Sequence, residues 1–223
     1  MEEFTDMSEN NRVMISGEIV SEPVFSHEVY GEGFYCFQIK VVRLSNAFDI
    51  VPIIVSERLM DTSEYRPGLY ISVLGQFRSY NSLSGGPKLS LMVFAREIKF
   101  TIKAEPEAQD DNQVVLNGFI CKQPVYRTTP FNREITDILL AVNRAYNKSD
   151  YIPCISWGRN ARYCGKRKVG DNVVITGRIQ SRKYQKKLPD GNVVEKTAYE
   201  VSVSKLELLS KESTAEAAEP ALI

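Results

Sequence analysis

Histidine and tryptophan occur once each in the 223 residues, as His27 and Trp157. A lone histidine cannot supply the paired ligands of a zinc hydrolase, and His27-Glu28-Val29-Tyr30 fits no nucleophile–base pairing. The four cysteines, Cys36, Cys121, Cys154 and Cys164, include no C-x-x-C pair. They read as free buried thiols of a reducing compartment rather than metal ligands. There is no P-loop, no G-x-G-x-x-G and no G-x-S-x-G, so phosphate cradles, dinucleotide folds and serine hydrolases are excluded as readings. No apolar run approaches the ~20 residues that span a bilayer. The opening Met1-Glu2-Glu3-Phe4-Thr5-Asp6 lacks the basic and apolar regions of a secretory signal. These absences predict a cytoplasmic protein with no cofactor, no metal and no catalytic centre.

What is present begins with a repeat. Gly17/Gly118, Pro23/Pro124, Arg43/Arg144, Asp49/Asp150 and Pro52/Pro153 share an offset of 101, and Gly68/Gly170 and Gly75/Gly177 one of 102. Val13–Leu59 laid on Val114–Asn160 without a gap gives 12 identities in 47 positions, against about three by chance. The chain is a duplicated domain, and a period this long sets the architecture.

Each copy reads as strands. Val13–Ile19 and Val114–Ile120 are rich in β-branched residues. Phe37, Ile39, Val41 and Ile138, Leu140, Val142 alternate with a period of two. Val51–Val55 and Ile152–Ile155 are apolar, Leu69–Phe77 and Asn172–Ile179 follow a glycine turn, and Lys88–Ile98 and Thr197–Leu209 close the copies. Between the third and fourth strands, Ser56–Tyr65 and Trp157–Lys168 have room for one or two helical turns. Five strands with that insert predict an all-β chain with short helices: two tandem OB-folds, each a five-stranded Greek-key barrel. The boundaries predicted are a flexible N-terminus at 1–12, the first barrel at 13–102, an acidic linker at 103–112, the second barrel at 113–210 and a flexible tail at 211–223.

The zero net charge is an average of unlike parts. Residues 1–112 hold 10 Lys+Arg and 17 Asp+Glu, whereas residues 113–210 hold 17 and 8. This predicts an acidic first copy with a degenerate site and a basic second copy that does the binding. Arg159, Arg162, Lys166, Arg167 and Lys168 form one acid-free cluster. Arg178, Arg182, Lys183, Lys186 and Lys187 form another, running into the loop before the last strand. Arg127 and Arg133 flank the loop after the first strand, and Lys148 lies between two aromatics. In an OB-fold these two loops flank the binding face. Acids of the second copy are scattered, with no paired metal-binding spacing, which speaks against a nuclease.

Aromatics supply the second half of a single-strand site, since bases stack on rings beside a basic groove. Tyr146, Tyr151 and Trp157 fall opposite Ser45, Ile50 and Ser56 in the first copy. Rings needed for a shared core should recur, and these do not, so they are assigned to the surface; packing beside the connecting helix is the other reading of Trp157. By the same rule Tyr126, opposite Phe25, is assigned to the core. Phe131, opposite Tyr30, and Tyr184 complete the candidate site.

The stretch Gly118-Phe119-Ile120 … Pro124 … Leu139-Leu140-Ala141-Val142 … Trp157-Gly158-Arg159-Asn160-Ala161 … Gly170 … Gly177-Arg178-Ile179 resembles the bacterial single-stranded-DNA-binding protein family. Tyr146, Tyr151 and Trp157 fall where that family places its base-stacking aromatics. The resemblance implies a non-catalytic protein that coats single-stranded DNA in replication, recombination or repair, and a homodimer carrying four OB-folds. The final Glu219-Pro220-Ala221-Leu222-Ile223 departs from the acidic, aromatic tip in which the family usually ends. The alternative is an interaction factor of a primosome or conjugation complex, with the acidic copy docking a partner.

Overall fold

The structure, a computed structural model, describes residues 10–43, 45–59, 64–82, 88–101, 112–187 and 191–209. The predicted linker at 103–112, apart from Asn112, and the tail at 211–223 lie outside the described residues. The first copy contributes β1 (Asn11–Ile19), β2 (Val24–Val29), β3 (Glu32–Val42), β4 (Phe48–Ser56), a 3-10 turn (Glu57–Leu59), β5 (Tyr70–Ser82) and β6 (Lys88–Phe100). The second contributes β7 (Asn112–Ile120), β8 (Val125–Thr128), β9 (Glu134–Arg144), β10 (Lys148–Trp157), the helix α1 (Gly158–Cys164), β11 (Asn172–Lys187) and β12 (Val193–Leu208). β1 thus begins inside the predicted flexible N-terminus, and β7 at the last residue of the predicted linker.

Each copy closes into a barrel. β1 pairs with both β5 and β3, β4 pairs with β3 and runs parallel to β6, and β6 pairs with β5. The second copy repeats this with β7, β9, β10, β12 and β11. Inward residues such as Ile15, Phe37, Ile53 and Phe77, and their counterparts Leu116, Ile138, Cys154 and Ile179, are buried. Gly75 and Gly177 sit where β5 and β11 shift register. A Cβ there would strike the carbonyls of Phe94 and Ser202, which is why the repeat retains glycine at this corner.

Each barrel closes with the five strands predicted, and β2 and β8 add an outer hairpin on β3 and β9. No residue of either is buried, so no inward–outward alternation marks them. One prediction needs correction: the first barrel is not acidic. Residues 13–102 hold eight Lys+Arg and nine Asp+Glu; the acidic excess of the first half belongs to residues 1–12 and 103–112. Docking of a partner on an acidic barrel loses its premise.

The barrels are joined edge to edge. β1 pairs antiparallel with β7, with Val13 opposite Val114, its own counterpart in the repeat. The contact is therefore a two-fold interface made within one chain. It uses the β1 edge and makes a continuous 12-stranded sheet. Across the seam the Asp49 Oδ1 accepts from Ser181 N at 2.6 Å and Ser181 Oγ at 2.8 Å. The Asp150 Oδ1 accepts from Ser79 N at 2.8 Å and Ser79 Oγ at 3.2 Å.

Burial alone would push the Asp49 carboxyl up, but bonds from Arg43 and from Ser181 outweigh it and hold the group below the ordinary carboxylate value. A depressed folded-state value means the stabilisation is present above the unfolded value and is lost as pH falls through the folded one. The urea midpoint is accordingly expected to drop as pH falls below about 4, with a shallower drop in Asp49→Asn; an unchanged acid limb in that variant would exclude Asp49 as a source.

Candidate nucleic-acid interface

In β10 the inward residues Ile152 and Cys154 are buried, while Tyr151 and Trp157 point the other way and are 46% and 39% exposed. Both lie on the outer face of the barrel, six positions apart, or ~20 Å of extended chain. Register places Ala141 and Leu139 of β9 beside Tyr151 and Pro153, and Arg127 of β8 beside Ile135, which itself opposes Trp157. On the other side β12 brings Ser202 beside Ile155, and β11 carries Arg178, Gln180, Arg182, Tyr184 and Lys186 on the same face as Ser202. Lys187 is exposed on the opposite face of that hairpin.

The remaining candidates occupy the two ends of this track. Tyr146, almost fully exposed, is at the tip of the β9–β10 turn, where it and Asn147 adopt positive φ; Lys148 follows it, exposed, as the first residue of β10. At the other end are Phe131 and Arg133, exposed in the β8–β9 turn, and Arg159 and Arg162 on α1. Lys166 follows α1 and is exposed. Trp157 occupies the cap position of α1 without a side-chain capping bond, so its ring is not the helix's anchor.

Several cations are already partnered, which no local pattern announces. Arg127 Nε is 2.9 Å from Asp137, Arg162 Nε 2.8 Å from Glu134, and Arg182 Nε 3.6 Å from Glu200. Arg162 and Tyr126 together hold the Glu134 carboxyl below its usual range. The Arg127–Asp137 pair, exposed on both sides, holds weakly and exchanges for other anions. Among the described residues no ion pair engages Arg133, Lys148, Arg159, Lys166, Arg178, Lys186 or Lys187.

The recurrence rule fails at the hairpins. That rule places Tyr126 in the core because Phe25 matches it, yet both are about half exposed. Phe131 and Tyr30 recur and are exposed in both copies. The hairpins repeat their rings because they repeat their shape, on the outside of each barrel. The first copy also has rings of its own where the second has none. Phe34 stacks on His27 at 5.1 Å and lies 5.9 Å from Phe94, over which Arg78 sits at 3.8 Å. By register, Phe34 and Phe94 replace Ile135 and Ser202.

All four cysteines are free, with Cys154 and Cys164 buried and Cys36 and Cys121 half-buried. Burial pushes each thiol up, away from reactivity. Among the described residues no three His, Cys, Asp or Glu side chains are grouped to hold a metal, and no helix is long and apolar enough to cross a membrane.

The sequence pattern of the "single-strand binding protein family" matches residues 111–209. Single-stranded DNA-binding protein B of Bacillus subtilis is 36% identical over 84 residues, which are 33% of this chain and 72% of that protein. Single-stranded DNA-binding protein 1 of Lactococcus lactis is 38% identical over 81 residues, 33% of this chain. The chain spans only 54% of that relative's length. The structure of the wild-type single-stranded DNA binding protein from Thermus aquaticus superposes over 96% of both chains, with a TM-score of 0.71 and 18% identity, a likeness of fold that takes in both barrels. With the Bacillus relative matched over most of its own length, the chain belongs to the single-strand binding protein family.

Proposed function

We propose that the chain binds single-stranded DNA, without catalysis and with little sequence preference, along the outer face of the second barrel, and that it protects exposed strands in replication, recombination or repair. The observation that carries this reading is the layout of the candidates. They do not converge on a pocket but run along a track the length of β10, ~30 Å for its 10 residues. A strand-length track with rings on its floor and cations at its margins suits an extended polymer. Bases stack on rings whatever their identity, and Lys and Arg neutralise phosphates.

The test is a titration of the full chain with oligo-dT at several salt concentrations. Log K is expected to fall linearly with log salt, by about 0.7 per phosphate neutralised. A flat response would overturn the phosphate-tracking face. Two chains are inferred to pair, giving four barrels. Exposed apolar residues of the β2 hairpin, Val24, Phe25, Val29 and Tyr30, support a contact there. A solution mass near that of one 25.2 kDa chain would exclude it.

A further inference from the structure

We propose that the first barrel positions the binding hairpin of the second, with Asp49 as the positioning residue; this rests on the single-strand reading above. β11 and β12 extend beyond the barrel as a two-stranded arm. Ser181 is half-buried, and Arg182–Lys187 beyond it are all exposed. The arm is thus rooted at Ser181; its β12 partners Val194, Lys196 and Ala198 are only half-buried, and a lone two-stranded ribbon is marginal in water. The direction of Arg182, Tyr184 and Lys186 depends on how that root is held.

The first barrel holds it at three atoms. Asp49, 1% exposed, accepts from the Ser181 N–H and hydroxyl. Arg43 Nη2 donates to the Ser181 carbonyl at 3.0 Å. Arg43 also locks Asp49 in place, with Nε at 2.7 Å from Oδ2 and Nη2 at 2.5 Å from Oδ1. The partners lie 132 and 138 positions apart in the chain. In the two-fold counterpart Asp150 accepts from Ser79, whose hydroxyl also accepts from Tyr151 N at 3.1 Å, but Arg144 stands off at 3.5 Å from Asp150. The tighter Arg–Asp lock therefore sits at the arm that carries the cations. Ordering an arm before the strand arrives removes a cost that binding would otherwise bear.

The experiment uses the full chain and oligo-dT, with folding followed by circular dichroism. Asp49→Ala is expected to bind about tenfold more loosely, with a salt slope shallower by roughly 0.7–1.4, the loss of one or two phosphate contacts. Asp49→Asn keeps an oxygen for the Ser181 N–H and is expected to recover most of that slope. A folded Asp49→Ala that melts earlier but keeps the original slope and affinity would reduce Asp49 to a structural role and overturn the proposal. Should Asp49→Ala not fold, Ser181→Ala decides. A slope shallower than that of the unmodified chain supports the clamp, and an unchanged slope and affinity overturn it. Salt-independent binding by the unmodified chain overturns the single-strand reading, and this proposal with it.

Discussion

Trp157→Ala is expected to loosen oligo-dT binding by about 5- to 150-fold, the 1–3 kcal/mol that one base–ring stack contributes, while leaving the barrel folded. The ring is 39% exposed on the outer face and makes no capping bond to α1. Its loss should remove a platform without opening a cavity. Because Trp157 is the only tryptophan, indole emission reports this one site. Oligo-dT should quench it and saturate at a fixed ratio, set by about 4–16 nucleotides per OB-fold. Trp157→Phe should retain most of the affinity, since it retains a ring. If the ring were core instead, emission would ignore DNA and Trp157→Ala would cost about 3–5 kcal/mol of stability. That outcome would leave Tyr146, Tyr151 and the cations to carry binding.

Asn112→Ala and Asn11→Ala are each expected to cost about 2–4 kcal/mol of folding stability, from the loss of two bonds to buried backbone. The register pairing Val13 with Gly75 would next place Asn11 opposite Phe77, but the backbone of Asn11 has turned to pair with β7. The side chain takes over the ladder, with Nδ2 donating to Phe77 O at 2.7 Å and Oδ1 accepting from Phe77 N at 2.8 Å. Asn112 does the same for Ile179, at 2.8 and 2.9 Å. Truncation leaves a buried N–H and a buried C=O without partners. Urea unfolding should show similar losses for the two variants, which the two-fold relation requires. A change within about 0.5 kcal/mol of the original, typical of surface positions, would mean that water replaces the amide.

How much of this was legible in the residues depended on the range of the interaction. The duplication, the all-β class, the strands that line each barrel and the helical insert follow from period-two alternation, glycine corners and an offset shared by two halves. Those signals are local or self-repeating. Tyr151 and Trp157 were readable as surface rings because the counterpart copy lacks them. The same comparison misplaced Tyr126, since an outer hairpin repeats its rings as faithfully as a core does. Charge was misplaced too. The acidic excess counted to the first copy lies mostly before and after its barrel, and a sum over half a chain carries no position.

By itself, then, the sequence determined which residues face inward along each strand and that two like barrels form. Only the tertiary structure decided how the barrels meet. Antiparallel pairing of β1 with β7 turns two beads on a linker into one sheet, and it brings Asp49 to Ser181 and Asp150 to Ser79. It also decided which cations are spoken for, as Arg162 is by Glu134, 28 positions away. The physical reason is that hydrophobic periodicity records only whether a side chain points in or out. Which edge meets which is set by backbone groups that every residue carries alike, and by side chains whose partners lie far along the chain.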